Sequence, residues 1–261
     1  MPENDGNSDL ALLVRAAKGA GEIAMRFWRN APKAWEKDDN AGPVTEADLA
    51  VNEYLEGVLR PARPTYGWLS EESPDSPARL ESERVFIIDP IDGTRAFIAG
   101  DRPFANALAV AHKGVVMAAV VFLPALDKLY SASSVGIAKL NGVPLRASPA
   151  TMPNGARILT GKPSLAPQFW VGPPPLIDRH FRPSLAYRLC LVADGSFDGV
   201  LSFRQCWEWD IAAGALIAQR AGALVTATKG TPLTFNGADP RSSGLWSAPP
   251  ALHSALISQM A

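Results

Sequence analysis

The sequence predicts an α/β fold whose first half is of the α+β kind. In the first half, two long amphipathic helix patterns precede a series of short apolar strand patterns, whereas helix and strand patterns alternate in the second half. The chain has 261 residues, of which 47% are hydrophobic and 20% charged, so it can bury a substantial core. Its length permits one large domain or two fused halves, and we expect the halves to span residues 1–149 and 150–261.

The two helices of the first half are predicted from their caps and apolar faces. Ser8 or Asp9 can cap the first helix, which has a broadly apolar face. Thr45 and Asp48 have the spacing of a capping box at the start of a second helix, which Pro61 is expected to end. These helices are expected to lie on the sheet that follows them.

A meandering sheet is predicted after these helices. Residues 85–88 are Val-Phe-Ile-Ile, which is typical of a buried strand. Two apolar runs on either side of His112-Lys113-Gly114 predict an antiparallel hairpin, and Asn141-Gly142 predicts a tight turn. Residues 73–83 predict an exposed linker. The predicted strands are residues 68–69, 85–88, 106–111, 115–122, 128–132 and 136–140.

The second half begins near Ala150 and alternates between strands and helices. Its Pro-rich stretch, residues 163–183, has no pattern that predicts one element. The predicted helices are residues 184–193, 210–221 and 251–260. The predicted strands are residues 158–160, a run near Val200, and residues 224–226 and 244–248.

Composition and charge argue against several classes of partner. The formal net charge is −1, with 25 basic and 26 acidic residues, so no overall field attracts a nucleic acid polymer or an anionic membrane. The early apolar run is too short to span a bilayer and lacks the features of a signal peptide, so we expect a cytoplasmic protein. Cys190 and Cys206 are too few for a disulfide framework and are expected to be buried free thiols.

The most informative stretch is Asp89-Pro90-Ile91-Asp92-Gly93-Thr94, which directly follows the strand predicted at residues 85–88. Carboxylates at the end of a strand are where α/β proteins commonly place chemistry, and oxygen ligands suit a hard cation such as Mg²⁺. Gly93 lets the backbone take a positive φ or approach an anion. Thr94 can cap the next segment, so that free N–H groups there hold a phosphate. The alternative is an ordinary Asx-type turn that closes the strand.

Three other stretches supply further carboxylates. Ser70-Glu71-Glu72-Ser73 follows a predicted strand, Thr45-Glu46-Ala47-Asp48 opens the second helix, and Trp209-Asp210 begins a later one. Helix capping explains Asp48 as well as a role at a metal site does, and each of the other carboxylates could also belong to a cap or a turn. Considered together, four carboxylates predict a cage for divalent ions: Glu71, Asp89, Asp92 and Asp210.

These stretches together resemble the inositol monophosphatase family of metal-dependent phosphomonoesterases. Three motifs occur in the order, and with separations similar to those, of the family: S-E-E-S, D-P-I-D-G-T and W-D-I-A-A-G. The resemblance extends from about Leu10 to the last helix. It implies a layered α-β-α-β-α sandwich with the active site between the halves, two or three Mg²⁺ ions and a small phosphorylated substrate. It is also compatible with a homodimer.

The resemblance also implies a set of metal ligands. Glu71 and Asp89, with the backbone carbonyl of Ile91, would bind one ion. Asp89 would bind a second ion together with Asp92 and Asp210. Most of the ligands therefore belong to the first half of the chain.

Catalytic and substrate-binding roles follow from the same resemblance. Thr94 and Glu71 would orient and deprotonate the attacking water, and Asp48 would be a third catalytic residue. The backbone N–H groups of the Gly-Thr pair would hold the phosphate. The residues implied to contact the substrate are Gly93, Thr94, Ser184 and Asp210.

Two departures from the inositol-specific pattern favour a 3'(2'),5'-bisphosphate nucleotidase. Leu69-Ser70-Glu71-Glu72 is similar to the bacterial nucleotidase branch, whereas inositol enzymes usually have Gly-Glu-Glu. Phe203 stands seven positions before Asp210, where inositol enzymes place an acidic residue that binds ring hydroxyls. We therefore predict 3'-phosphoadenosine 5'-phosphate as the substrate, with Arg188 or Lys162 contacting its second phosphate.

Two other functions remain open at this point. An inositol phosphate or another sugar phosphate is the close alternative, because family members share the metal chemistry and differ in the leaving group. A non-catalytic regulatory protein on the same fold is the more remote alternative. Trp207 and Trp209 flank Glu208 near the predicted site and could touch a substrate, although core packing is the simpler explanation for tryptophans.

Overall fold

The computed structural model describes residues 3–37 and 42–261, with side chains described from residue 6 onward. The described residues form six α-helices and two main β-sheets. The helices are α1 (Glu3–Phe27), α2 (Glu46–Ala62), α3 (Thr94–Ile98), α4 (Leu185–Ala193), α5 (Glu208–Arg220) and α6 (Pro250–Ile257). The strands are β1 (Ala34–Glu36), β2 (Pro43–Thr45), β3 (Gly67–Ser70), β4 (Arg84–Asp92), β5 (Ala105–His112), β6 (Val115–Leu123), β7 (Lys128–Ser133), β8 (Lys139–Leu140), β9 (Val143–Pro144), β10 (Arg157–Thr160), β11 (Asp178–His180), β12 (Gly199–Ser202), β13 (Cys206–Trp207), β14 (Leu224–Thr226), β15 (Arg241–Ser242) and β16 (Leu245–Ala248).

Helices and sheets stack in five layers. α1 and α2 cover one face of a seven-stranded sheet, and α4 and α5 pack on its other face. A five-stranded sheet lies beyond α4 and α5, and α6 packs against its β16. The predicted α-β-α-β-α sandwich is therefore confirmed. The division into two halves at residues 149 and 150 stays a prediction.

The seven-stranded sheet carries the acidic motif on a strand that is buried on both faces. Its order is β3-β4-β5-β6-β7-β8-β9, with β3 and β4 parallel and the remaining neighbours antiparallel. Phe86 and Ile88 of β4 pack towards α1 and α2, whereas Val85 and Ile87 pack towards α4 and α5. This explains why β4 is a continuous apolar run rather than an alternating one.

The five-stranded sheet has the order β11-β10-β12-β16-β14. β10 pairs in parallel with β11 and β12, and β16 runs antiparallel to β12 and β14. The chain leaves β12 and enters α5 through residues 203–207, of which 204–207 line a cavity together with the acidic end of β4. The second sheet therefore positions the start of α5 beside the acidic end of β4.

The elements with strong local patterns form as predicted. β5 and β6 make the expected hairpin, and Thr45 and Asp48 form the capping box of α2. Asn141 and Gly142 both have positive φ, 48° and 85°, in the two-residue turn between β8 and β9.

The predicted start of the first helix was wrong. α1 begins at Glu3, so neither Ser8 nor Asp9 is its cap. Asp9 is buried instead, and its carboxylate accepts a hydrogen bond from Nε of Arg63 at 2.9 Å. Arg63, at the end of α2, thus supplies a hydrogen bond to the Asp9 carboxylate, which the sequence alone assigned to a local helix cap.

The stretch predicted as an exposed linker, residues 73–83, contains a 3₁₀ helix at Pro77–Glu81. Arg79 in that helix is only 3% exposed. The predicted strand at residues 136–140 is limited to β8, and the unassigned residues 163–183 contain short 3₁₀ helices and the edge strand β11. Among the described residues, no helix is long and apolar enough to cross a bilayer.

Candidate active site

Three carboxylates meet where β4 ends and α5 begins. β4 carries Asp89 and Asp92, and its pairing with β5 shifts register between these two residues. α5 carries Asp210 in its first turn. One carboxylate oxygen from each of the three aspartates lies within 4.8 Å of the other two. The fold therefore brings together three of the four predicted carboxylate ligands, from both halves of the chain.

The donor set of this cluster fits a hard cation. Oδ1 of Asp89 is buried and has no hydrogen-bond partner among the described residues. Burial raises the pKa of Asp89 well above its usual value, and the negative charges of Glu71, Asp92 and Asp210 raise it further. Burial and neighbouring carboxylates also raise the pKa of Asp210. A divalent cation would give the buried oxygen a partner and turn this repulsion into attraction.

Asp92 is tied to the second half by the start of α4. Its Oδ2 accepts hydrogen bonds from the Ser184 hydroxyl and the Ala186 N–H, both at 2.7 Å. Burial raises the pKa of Asp92 to about 6, and these two hydrogen bonds act in the opposite direction. The Ser184 hydroxyl also accepts a hydrogen bond from the Tyr187 N–H. Ser184 therefore orients Asp92 at the cavity wall, and its predicted substrate contact stays a prediction.

Glu71 forms an ion pair that the sequence analysis missed. Nζ of Lys37 lies 2.8 Å from Oε1 of Glu71 and 2.6 Å from Oε1 of Glu72. Burial opposes the charge of Lys37, but the two carboxylates raise its pKa overall. Burial raises the pKa of Glu72 to about 7, against the effect of its hydrogen bond from Lys37. Glu71 lines the same cavity as the aspartates, and metal binding by its carboxylate stays a prediction.

Asp48 caps α2 and also contacts the predicted catalytic Thr94, and its role at a metal or catalytic site stays a prediction. Its Oδ2 accepts hydrogen bonds from the N–H and hydroxyl of Thr45, at 2.9 and 2.5 Å, and caps α2. Its Oδ1 lies 3.2 Å from Oγ1 of Thr94, which lies 3.1 Å from the carbonyl oxygen of Ile91. Burial raises the pKa of Asp48 to about 6. Capping therefore holds the carboxylate in place while its second oxygen faces the predicted catalytic hydroxyl.

Gly93 connects the acidic strand to the short helix α3. Its φ of 97° lies in the left-handed region, and an added Cβ would lie 3.4 Å from the carbonyl oxygen of Pro103 and from the backbone nitrogen of Ser184. Because α3 begins at Thr94, the first N–H groups of this helix have no intrahelical acceptor. This backbone is compatible with the predicted phosphate contact of Gly93 and Thr94, which stays a prediction.

The three clustered aspartates, Glu71, Gly93 and Thr94 line a cavity of about 530 Å³, and we call these residues its acidic wall. Arg188, Arg204 and Trp207 line the same cavity, and we call them its cationic, aromatic wall. Trp207 is 39% exposed and stacks on Trp209, with ring centroids 4.6 Å apart. Burial lowers the pKa of Arg188, while attraction to Asp92 acts in the opposite direction. The cavity therefore has an acidic wall and a cationic, aromatic wall.

Phe203 packs against the core beside α6 and does not line the cavity. Its partly buried ring stacks on Phe169 at 4.2 Å and meets Trp246 edge-on at 5.3 Å. Arg204 lines the cavity instead. Side chains alternate along extended backbone, and Phe203 continues the buried face of Leu201. The replacement of an acidic residue by Phe203 therefore does not change the lining of the cavity, and this alternation was the signal that could have shown it.

The candidates for a second anion site differ in position. Arg188 lines the cavity as predicted, whereas Lys162 is exposed in a 3₁₀ helix and does not line it. Sequence reasoning missed Arg204 and Lys37. Arg204 follows closely after β12, whose last residue, Ser202, lines the cavity. Its position near the site could therefore have been inferred from the sequence. Lys37 lies in a polar stretch, and no sequence pattern there indicates that it pairs with Glu71 or Glu72.

Comparisons with known proteins agree with this geometry. A profile of the inositol monophosphatase family matches residues 7–261. A putative Nus factor SuhB from Neisseria meningitidis serogroup A is 35% identical over 235 residues, covering 86% of this chain and 88% of that protein. An inositol-1-monophosphatase from Rhizobium meliloti is 36% identical over 197 residues, covering 72% and 73%. The crystal structure of the extragenic suppressor protein suhB from Bartonella henselae is similar, with a TM-score of 0.81, 28% identity, and coverage of 96% and 97%.

Proposed function

The chain belongs to the inositol monophosphatase family and is a phosphatase of that family, and we propose that it hydrolyses a small phosphate monoester with Mg²⁺ held at the aspartate cluster. The observation that carries the proposal is the meeting of Asp89, Asp92 and Asp210 around an unpartnered buried carboxylate oxygen. A phosphate monoester is anionic and has a poor leaving group. When bound, Mg²⁺ supplies Lewis acidity to the phosphoryl group and activates water.

The proposed ion ligands are the three aspartates, with Glu71 and the Ile91 carbonyl as further oxygen donors. Ser184 and the Ala186 N–H hold one oxygen of Asp92, which leaves the other oxygen free to face the cluster. Lys37 neutralises Glu71 through an ion pair of 2.8 Å. Lys37 contacts Oε1 of Glu71, so Oε2 is the oxygen that can bind an ion while this ion pair is kept.

Thr94 and Asp48 are proposed, together with Glu71, to orient the attacking water and accept its proton. If Asp48 accepts the Thr94 hydroxyl hydrogen, the lone pairs of Thr94 can accept a hydrogen bond from water. Thr45 holds the other oxygen of Asp48 and so limits its rotation. Because the pKa of Asp48 is about 6, the carboxylate is ionised at neutral pH, which is the state that can take a proton.

For the substrate we propose a 3'(2'),5'-bisphosphate nucleotide such as 3'-phosphoadenosine 5'-phosphate. Arg188 and Arg204 place two cations in the cavity, where they suit a second phosphate. Trp207 is 39% exposed in the cavity, and a nucleobase can stack on its ring by displacing the Arg241 guanidinium, which lies 5.3 Å from the ring centroid. The monophosphate of an uncharged polyol has neither a second phosphate nor a base for these groups.

The support for this substrate comes from the cavity rather than from the sequence departures. The Ser70 hydroxyl donates a hydrogen bond of 2.7 Å to Oδ1 of Asn52, so its place in the motif has a structural reason. Phe203 is partly buried against the core and does not line the cavity. Inositol 1-phosphate is the second candidate, and the 36% identity to the inositol-1-monophosphatase of Rhizobium meliloti favours it.

Phosphate release with Mg²⁺ from three compounds tests the proposal. The panel contains 3'-phosphoadenosine 5'-phosphate, adenosine 3'-phosphate and inositol 1-phosphate. Adenosine 3'-phosphate is the matched control, since it keeps the base and the scissile phosphate and lacks only the second phosphate. We expect the highest kcat/KM for the bisphosphate. A preference for inositol 1-phosphate would overturn the nucleotide assignment, and no release from any compound would favour a non-catalytic regulatory protein.

A further inference from the structure

The first residue of α5, Glu208, is buried and bound by backbone from a distant loop. It is 3% exposed, and its Oε2 and Oε1 accept hydrogen bonds from the N–H groups of Asn236 and Gly237, at 2.6 and 3.0 Å. Its own N–H donates to the carbonyl of Pro240 at 2.9 Å. Burial raises the pKa of Glu208, while the two N–H groups and the charge of Arg79 act in the opposite direction. Glu208 therefore fixes the start of α5 against the loop at residues 236–240.

Arg79 fixes the other side of the same loop. Its guanidinium donates to Oδ1 of Asn236 at 2.7 Å and to the carbonyl of Gly237 at 2.9 Å. Two further hydrogen bonds, at 2.6 and 2.9 Å, go to the carboxylate of Asp75. Asn236 has a φ of 63°, in the left-handed region, so the loop adopts a specific conformation between the two charged groups. A planar guanidinium can make this set of bonds, whereas an ammonium cannot reproduce their geometry.

This network touches two of the three segments that carry the predicted metal ligands, the one that leads to Glu71 and the one that carries Asp210. A Cβ added to Gly67 at the start of β3 would lie 3.0 Å from Cβ of Arg79 and 3.1 Å from its Cα, so Arg79 packs directly against that strand. β3 ends at Ser70, immediately before Glu71. At its other end, the network reaches Glu208, two residues before Asp210. A chain of contacts therefore runs from the Glu71 segment, through Arg79 and the loop, to the first turn of α5.

We propose that Arg79 and Glu208 are positioning residues that set the place of Asp210, relative to the acidic strand β4, for metal binding. The inference rests on the metal site of the proposed function. Neither residue lines the cavity, so each acts through the loop at residues 236–240. Both charges are nearly fully buried and multiply hydrogen-bonded, and removal of one partner would leave the other group unsatisfied. Asp210 would then lose its fixed distance from Asp89 and Asp92.

Isothermal titration of the full-length protein with Mg²⁺ tests this positioning role without relying on turnover. Arg79→Lys keeps the charge beside Asp75 and loses the planar fork, and Glu208→Gln keeps the volume and loses one acceptor. We expect each variant to weaken Mg²⁺ affinity by about 10–100-fold, the range seen when partners of metal ligands are lost. At saturating Mg²⁺, turnover should recover towards the wild-type value, because the ligands themselves are intact.

Two further variants separate positioning from a general loss of stability. Arg63→Lys is the matched control, because the Arg63 side chain also pairs with a buried aspartate, and its partners Asp9, Ser8 and the Ala62 carbonyl do not line the cavity. It should lower Tm and leave Mg²⁺ affinity unchanged. Asn236→Gly removes a side-chain acceptor of Arg79, and glycine adopts the positive φ of this position without strain. This variant tests the positioning role if Glu208→Gln does not fold.

The possible outcomes are distinct. Wild-type protein that binds no Mg²⁺ would contradict the proposed metal site itself. If wild type binds Mg²⁺ and the folded Arg79→Lys and Asn236→Gly variants bind it within about twofold of wild type, the positioning role is overturned, since outer partners of a metal site ordinarily cost more. Weaker binding in these variants, with the Arg63→Lys affinity unchanged, supports it.

Discussion

The two walls of the cavity differ in chemistry and in how firmly their side chains are held. On the acidic wall, Asp89 is 1% exposed and Asp92 is 7% exposed, and the Ser184 hydroxyl and the Ala186 N–H orient Asp92. On the cationic, aromatic wall, Arg204 and Trp207 are exposed. A buried, pre-oriented wall suits a step common to all substrates, whereas an exposed wall can change without disturbing that step. We therefore expect acidic-wall substitutions to alter turnover of every substrate, and substitutions on the cationic, aromatic wall to alter substrate preference.

The largest expected effect comes from the acidic wall. Asp92→Asn and Asp210→Asn should each lower kcat by at least ~10²-fold for every phosphate ester tested, because an anionic ligand is lost. Both proteins should fold, since the substitution relieves repulsion in a buried acidic cluster. Steady-state phosphate release at saturating Mg²⁺ measures the effect.

A buried carboxylate outside the cavity provides the control for these variants. Asp198 is 7% exposed and pairs with Arg157 at 2.9 Å. Asp198→Asn should reduce stability and leave kcat close to the wild-type value. Near-normal turnover in both acidic-wall variants would remove the distinction between the two walls.

The next effect concerns the cationic side of the cavity. Arg204→Gln should lower kcat/KM for the nucleotide bisphosphate by about 10–100-fold, because a charge-assisted hydrogen bond contributes roughly 1.5–3 kcal/mol. The same variant should change the value for adenosine 3'-phosphate much less, since that compound lacks the second phosphate. Equal losses for both compounds would show that Arg204 does not select the substrate.

A smaller effect is expected at the aromatic face. Trp207→Ala should lower kcat/KM for adenosine-containing substrates by about tenfold, because stacking on a base contributes about 1–3 kcal/mol. Trp207→Phe keeps a ring in the cavity and should restore most of the loss. If Trp207→Phe is as impaired as Trp207→Ala, or if inositol 1-phosphate is affected equally, the base does not stack there.

The smallest effect is a pH dependence of the metal-free protein. Burial raises the pKa of Asp48 and of Asp92 to about 6, above the ordinary carboxyl value. The folded state thus binds protons more tightly than the unfolded state, so this contribution to stability is present at low pH and is lost as pH rises through about 6. We expect Tm to be about 5 °C lower near pH 7.5 than near pH 5.5, and Mg²⁺ to remove most of the difference. A Tm that rises with pH in the absence of Mg²⁺ would contradict the acidic-wall description.

Sequence predicted the acidic wall well because its signals are local. The four carboxylates stand next to strand ends or helix starts, and β4, the hairpin of β5 and β6, and the capping box of α2 each have a short-range pattern. These patterns depend on residues within a few positions of one another. The fold class and the three aspartates that lie together could therefore be inferred before the structure was known.

The contacts that support the site depend on long-range partners. Arg79 and Asn236 are 157 positions apart, and the Ser184 hydroxyl reaches Asp92 across 92 positions. No local period specifies such pairs. Phe203 is a different case, because the alternation of side chains after β12 already predicted that its face was buried.

Phosphate release from 3'-phosphoadenosine 5'-phosphate, measured first with Mg²⁺ and then after adding excess chelator, tests the central claim most directly. If Asp89, Asp92 and Asp210 hold an ion that the reaction requires, release stops in chelator and returns when Mg²⁺ is restored in excess. Ca²⁺ should not replace Mg²⁺, because its longer and more variable bonds would misplace the reacting groups. Undiminished hydrolysis in excess chelator would contradict the account.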